Sequence, residues 1–321
     1  MPVYNCGLYL RDAIESILNQ EFKDFYFHII NDGSTDNTEE IVHEFNDPRI
    51  KYFKNKENLK LIPTLNNAIL DCTTKYIVRM DGDDIAAPSF IKTLYNYMEE
   101  NPQISICSCY FQYFGGKEDK VINPLSINEV KVSLLFYNPV LHPGIWRNDV
   151  IKKHNFKFNA EFIHAEEYEF WTQLSSVTNL SNVPDFLMKL RSHNNQVSNK
   201  FLEEQKISSR KVRSKLLVDL LDKISDNEID IWEELIIKNH DFSSPKNTVE
   251  LILNVLRTNK QKRIYDPVLL QRKLALKWKN AILELKSINI IYLFVIYFWV
   301  LKINYKWSLK ELIFVSLKVF R

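Results

Sequence analysis

The sequence predicts an α/β protein: a doubly wound, mostly parallel sheet flanked by helices, followed by a helical C-terminal extension. Three observations predict it. Short apolar runs alternate with amphipathic stretches through the first 115 residues, the pattern of strands that cross over through helices into a parallel sheet. Two polar, acidic clusters, residues 31–36 and 81–84, stand where such strands end, and ligands of open α/β sheets bind at the carboxyl ends of the strands. Residues 205–285 are rich in Leu, Ile, Lys and Glu and are helical in character.

The elements follow in order. Residues 2–5, P-V-Y-N, are the end of a strand entering a loop. Over 8–20, Leu10, Ile14, Ile17 and Leu18 share one face of an amphipathic helix. Residues 25–30 are a buried strand that runs into N-D-G-S-T-D-N-T, a cluster of turn formers and helix N-caps. A helix over 38–45, a strand over 49–53 and a helix over 61–70 come next. The strand over 75–80 runs straight into D-G-D-D. A helix over 90–100 and a strand over 104–114 complete the alternation, and beyond about residue 125 the pattern is that of an α+β half.

At 321 residues, 45% of them hydrophobic and 26% charged, the chain suits one large domain with an appendage and a sizeable core. The net charge of +2 hides an asymmetry. Residues 1–200 carry 20 Lys+Arg against 26 Asp+Glu, and residues 201–321 carry 22 against 14. A basic C-terminal part suits an anionic membrane surface or a solvated helical face. It carries no nucleic-acid-binding motif, and its apolar content fits lipid better. Cys6, Cys72, Cys107 and Cys109 include no C-x-x-C pair, and Cys107 and Cys109 alternate within an apolar strand. A reducing, cytoplasmic compartment is expected. Arg11 and Asp12 interrupt any early apolar stretch, so no secretory signal is expected.

The tail is distinctive. Residues 288–301, I-N-I-I-Y-L-F-V-I-Y-F-W-V-L, are nearly all apolar. These 14 residues are short for a membrane span, which takes about 20. Lys302, Lys306, Lys310, Lys318 and Arg321 then interleave with Trp307, Leu312, Phe314 and Leu317. Cations among Trp, Phe and Leu describe an interfacial amphipathic helix, or else a helix docked on protein.

Chemistry concentrates at Asp81-Gly82-Asp83. Two carboxylates one residue apart at a strand end can converge on one hard cation, and the glycine lets the chain turn. Oxygen ligands suit Mg2+ or Mn2+, which neutralises charge on a departing diphosphate. An acidic D-G-D is also common in surface loops, so position gives it its meaning. An EF-hand is excluded, because no bidentate Glu stands at the twelfth loop position.

The segments P-V-Y-N at 2–5, S-I-L-N-Q at 16–20, N-D-G-S-T-D-N-T at 31–38, M-D-G-D-D at 80–84, H-A-E-E-Y-E-F-W at 164–171 and L-R-S-H-N-N-Q-V-S at 190–198 together resemble the inverting family-2 glycosyltransferases of GT-A fold, of the type that builds bacterial surface polysaccharides. The resemblance covers roughly residues 1–200. It implies a GT-A catalytic domain over 1–200, with nucleotide-sugar binding over about 1–115 and the acceptor side over about 116–200. Residues 201–321 are then a separate helical extension.

The resemblance also implies roles. Pro2, Tyr4 and Asn5 line the nucleotide pocket, and Asp32 accepts a hydrogen bond from the base, as suits uracil or thymine. Asp81 sits by ribose and metal, Asp83 binds the metal, and His193 joins them or meets phosphate. Arg191, His193, Gln196 and Ser198 belong to a segment over the diphosphate. Glu166-Glu167 supplies the general base, with Glu167 first. Two positions depart from relatives: Glu167 stands where most carry Asp, and Gln173 where the motif has Arg. His142 is a candidate for the donor or acceptor pocket. Trp146 and Trp171 can stack on an acceptor sugar or serve the core. Relatives also carry apolar residues before P-V-Y-N, so a shortened central strand is expected here.

The implied enzyme is a hexosyl- or N-acetylhexosaminyltransferase. It takes a UDP- or dTDP-sugar to a glycan or lipid-linked acceptor at the cytoplasmic face of the cell membrane. A sugar nucleotidyltransferase would need a Gly-rich loop near the N-terminus, which six glycines do not provide. A non-catalytic binding protein on the same fold would not need Asp32, Asp81, Asp83 and Glu166-Glu167 together.

The tail yields a prediction. The full chain floats with anionic vesicles and a chain ending near residue 285 does not. Equal flotation of the two removes membrane contact through 288–321.

Overall fold

The computed structural model describes residues 1–193, 200–237 and 245–284. The chain forms two compact units, Met1–Val212 and the part from Arg213 onward.

In the first unit, β1 (Pro2–Val3), β2 (Phe27–Asn31) and β3 (Ile50–Lys54) pair in parallel in that order. They are joined by α1 (Gly7–Leu18) and α2 (Thr38–His43). After α3 (Leu61–Asp71) a second sheet begins with β4 (Tyr76–Arg79) and β5 (Ile85–Ala86). It continues, beyond α4 (Phe90–Glu100), with β6 (Ile104–Phe114), β7 (Lys120–Val121), β8 (Gly144–Arg147) and β9 (Asn179–Arg191). Its order is β4-β8-β6-β9-β5, with β7 on β6. Here β6 and β9 run parallel, while β4–β8, β6–β8, β6–β7 and β5–β9 are antiparallel. The expected α/β sheet flanked by helices is present, and its parallel, doubly wound character lies in the first half.

Helical periodicity explains the packing. In α1, Leu10, Ala13, Ile14 and Ile17 fall on one buried stripe. They enter one core with Ile29 of β2, Leu94 and Met98 of α4, and Cys107 and Cys109 of β6. Gln20 closes this layer. Its amide donates to the Ala87 carbonyl at 2.7 Å and accepts from the Ile91 N–H at 2.9 Å, which fixes α1 against the start of α4. The second half of this unit adds α5 (Ile127–Ser133), α6 (Asn148–Lys153), a 3-10 turn at Ala160–Phe162 and α7 (Glu166–Ser175). The helix α8 (Leu202–Leu221) follows.

The second unit is helical. It holds the end of α8, α9 (Asp226–Ile236), α10 (Pro245–Lys262) and α11 (Pro267–Glu284). Trp232, Ile252, Leu270 and Leu274 are buried, and the buried Arg213 guanidinium donates from Nε to Glu233 Oε1 at 2.7 Å. No helix among the described residues is long and apolar enough to cross a membrane, and residues 288–321 lie outside the described residues.

The strand β1 is short, as expected, and its first neighbour is the chain's own terminus. The Met1 amino group lies in the core and donates to the His28 carbonyl at 2.9 Å. Burial lowers its pKa to about 5, against the opposing pull of Asp81. An amine neutral in the fold and protonated when unfolded costs stability as pH falls from 8 to 5. A chain extended by about five apolar residues, at a rise of about 3.3 Å each, escapes that cost and gains ladder bonds. The extended form is expected to melt higher, with a gap that widens from pH 8 to pH 5 by on the order of a few kcal/mol in urea titrations. Equal stabilities would contradict it.

Candidate active site

The first wall of the site is built from the loops after β1 and β2. Asn5 takes a left-handed conformation at φ 48°. Its N–H donates to Ser34 Oγ at 3.0 Å, and its side-chain oxygen accepts from the Thr35 N–H at 2.8 Å. Asp36 accepts the Gly7 and Thr38 N–H groups at 3.0 Å each, which binds the start of α1 to the same loop. Asp32 is buried, and its Oδ1 accepts from Asn55 Nδ2 at 2.7 Å and the Leu59 N–H at 3.0 Å. Pro2 lies in β1 opposite Ile30, and the Tyr4 ring is exposed beside Asn5. The segments 2–5 and 31–38 are therefore one hydrogen-bonded unit.

The D-G-D-D turn follows β4. Gly82 is packed so closely that an added Cβ would lie 3.0 Å from both Val3 Cγ1 and Cys6 Sγ. A side chain here would have to displace Val3 or Cys6 by a few tenths of an ångström, and glycine avoids that. Asp84 is buried and accepts the Arg191 N–H at 2.9 Å. Burial, then Asp83 and Asp81, push its carboxyl up to about 8. Asp83 pairs with His193, 3.1 Å from Nε2 to Oδ2, and its carbonyl accepts from Arg191 Nε at 2.9 Å. The Arg191 guanidinium also reaches Asp12 at 3.0 Å and lies over the Tyr9 and Phe114 rings. Arg191 and His193 arrive at the end of β9 and hold the acidic turn. Ser198 and Gln196 lie outside the described residues.

The far wall is α7, whose first residues are Glu166 and Glu167. A buried arginine joins it to the turn. Arg79, the last residue of β4, bonds Glu167 through Nη1 and Asp81 through Nη2, the latter at 3.1 Å. His142 completes the ring, with Nε2 2.8 Å from Asp81 Oδ2 and Nδ1 3.3 Å from Glu167 Oε1. The Nε2 contact is an ion pair lacking hydrogen-bond alignment. Burial would raise Asp81, but His142 and Arg79 outweigh it and hold the carboxyl far below the usual range. Burial likewise opposes Glu167, and His142 and Arg79 again win, so its pKa is lowered. Glu166 is pushed up by burial and by Glu167. Against its own burial, the carboxylates raise His142 well above the usual histidine range.

Among the described residues, Asp81, Asp84 and His142 offer ligand atoms within 4.8 Å of one another. Three aspartates crowded at one turn, one with a strongly raised carboxyl, form a donor set that a hard divalent cation fits. Asp83 and His193 stand beside this group as a second pair.

Trp146 and Trp171 are fully buried. Their rings pack edge to face at 5.4 Å, and both meet Phe170. They present no face to an acceptor and serve the core. Their apolar surroundings in G-I-W-R and E-F-W-T carry that reading, because a ligand platform needs an open ring face. Two residues outside the sequence expectations matter more. Arg79 is the one cation in Y-I-V-R-M, and a charge inside a buried strand demands a counter-charge. Asp84 belonged to the acidic cluster but had no role of its own.

The site thus combines an α/β sheet with two polar loops at its strand ends, an acidic turn and an opposed acidic pair. The profile described as Glycosyl transferase family 2 matches residues 1–155. An uncharacterized glycosyltransferase of Haemophilus influenzae is 36% identical over 235 residues, covering 69% of this chain and 73% of that protein. The chain belongs to glycosyl transferase family 2 and is a glycosyltransferase. Among solved structures, TarS of S. aureus in complex with UDP-GlcNAc aligns with a TM-score of 0.58 at 16% identity over 88% of each chain. The mannosyltransferase PcManGT of Pyrobaculum calidifontis, in complex with GDP-Man and Mn2+, aligns with a TM-score of 0.55 at 14% identity, over 87% of this chain and 84% of that one. These likenesses establish the GT-A fold.

Removing one partner of a buried ion pair leaves charge without compensation. Arg79→Leu is expected to cost about 3–5 kcal/mol in urea unfolding at pH 8. The loss shrinks toward pH 5, where the stranded carboxyls take up protons and no longer need a cation. An equal loss at both pH values would contradict the pairing.

Proposed function

We propose that this enzyme transfers a sugar, with inversion, from a UDP- or dTDP-sugar to a glycan or lipid-linked acceptor in surface-polysaccharide synthesis, working at the inner face of the cell membrane. The observation that carries the reading is the ring Asp81–Arg79–Glu167–His142, which joins an acidic turn to an acidic helix start. An inverting displacement needs those two sides: a charge sink for the leaving diphosphate and a base for the acceptor hydroxyl. Asp32 and Asn5, with Tyr4 and Pro2, take the nucleotide end.

Asp81, Asp83 and Asp84, with His193 beside them, would hold Mg2+ or Mn2+. When bound, such an ion stabilises charge on the leaving diphosphate and orients it. The chain's own residues do the rest. Arg191 keeps the acidic turn in place through the Asp83 carbonyl and the Asp84 carboxyl. Arg79 fixes the direction of Glu167. We assign the acceptor proton to Glu167, which stands at the motif's base position and is oriented from two sides. Glu166, its carboxyl raised by burial and by Glu167, is the neighbour whose proton affinity is the higher of the two. The hydroxyl then attacks the anomeric carbon from the face opposite the diphosphate, and the proton passes to Glu167 as the C–O bond forms.

A screen of nucleotide sugars for metal-dependent UDP release tests the donor. Asp83→Ala is expected to abolish that release in a folded protein, and retained release would sink the metal assignment. Glu167→Gln should lower transfer by about 10²–10⁴-fold with UDP binding intact. A larger loss in Glu166→Gln than in Glu167→Gln moves the base by one residue.

A further inference from the structure

Two rings stand beside the acidic helix start without a part in the site described above. His164, two residues before Glu166, lies parallel to Phe201, with centroids 4.6 Å apart and planes at 15°. Phe201 is 39% exposed and His164 is half-buried, so the stack has an open side. The His164 backbone sits at φ 64°, left-handed space that a residue with a Cβ occupies only at a cost. Gln205 Nε2 holds that backbone by donating to its carbonyl at 3.1 Å. Neither ring nitrogen of His164 bonds another described residue, so the flat surface carries a polar edge that can give or take a hydrogen bond.

We propose that His164 and Phe201 form the platform for a neutral glycosyl ring of the acceptor. The inference rests on the transferase reading of the neighbouring carboxylates. The C–H face of a pyranose is apolar and flat and covers an aromatic face, while its equatorial hydroxyls reach a polar edge. The charge around the stack selects a neutral sugar. Glu161 and Glu203 neighbour the two rings in the chain, and Glu204 acts on the ionisation of His164. An anionic ring or a phosphate placed there meets like charge. A single residue, Ala165, separates His164 from the acidic pair, which places the platform beside the start of α7.

The test uses the full chain with UDP and Mn2+ and a panel of methyl glycosides of glucose, galactose, N-acetylglucosamine, rhamnose and glucuronic acid. Saturation-transfer NMR reads contact with the ring protons, and calorimetry reads UDP affinity. Saturation is expected on at least one neutral glycoside and not on the glucuronide. It should fall at least fivefold in Phe201→Ala and in His164→Gly and persist in Phe201→Trp, with UDP affinity and Tm held. His164→Gly removes the ring yet suits the left-handed backbone, so it does not depend on a strained variant folding. Absence of saturation from every neutral glycoside overturns the platform, as does undiminished saturation in both ring-removing variants. A parallel loss of UDP affinity and Tm overturns it too, showing that the stack only docks α8. Failure of the unaltered chain to bind UDP with Mn2+ counts against the donor site instead, and the panel still decides the platform.

Discussion

A guanidinium buried between two carboxylates from distant parts of the chain is the constraint on which this site depends. Arg79 ends an apolar strand, and a cation there is stable only with its counter-charges in place. Asp81 lies two residues on; Glu167 is 88 residues away. Their meeting fixes the end of β4 against the start of α7. His142, from the loop before β8, closes the ring from the third side. Replacing such a network by apolar residues is often neutral for stability, so stability alone does not account for it. Placement does: the ring sets the two acidic walls at a defined separation with directed carboxylates, before any substrate arrives.

The same ring explains why the pocket suits a cation. Arg79 and the imidazolium of His142 balance Asp81 and Glu167, leaving Asp83, Asp84 and Glu166. Among the described residues Asp83 pairs with His193, and Asp84 accepts the Arg191 N–H with its carboxyl raised to about 8. A cluster that resolves its repulsion by holding a proton can instead exchange that proton for a divalent ion, which is how acidic metal sites couple to pH. The protein has spent its own cations on geometry and left the charge sink to be filled from outside.

How much of this was legible in the sequence follows from range. Periodicity is local, so β6 at Ile104–Phe114 and α4 at Phe90–Glu100 coincide with the strand and helix read from the residues, and other boundaries move by a residue or two. The turn chemistry of residues 31–38 is equally local and marks the loop whose side chains cap α1. Strand pairing is not local: the antiparallel pairings of β8 with β4 and β6 depend on a return across 29 residues after β6, which no window contains. Side-chain direction is hidden in the same way. Trp146 and Trp171 were open to a ligand role because composition does not tell which face of β8 or α7 is covered; the fold covers both. Arg79 carried a signal, a lone charge in a buried run, but its partner Glu167 could be named only by the fold.

Gly82 ties the two halves into one device. The parallel sheet carries the polar loops after β1 and β2 and the mixed sheet carries the acidic turn, and they meet where Val3 and Cys6 approach Gly82 so closely that a Cβ would sit 3.0 Å from each. The ends of β1 and β4 therefore share one position, and a shift of the short strand β1 moves the D-G-D-D turn directly. The Met1 amine, held in the core by the His28 carbonyl and drawn to Asp81, sits at the other end of that strand. A perturbation there acts through two residues of β-structure onto the carboxylates that would receive the ion. A two-residue strand thus carries both the buried amine and the approach to Gly82, so its pairing with β2 and the packing of the D-G-D-D turn share the same few residues.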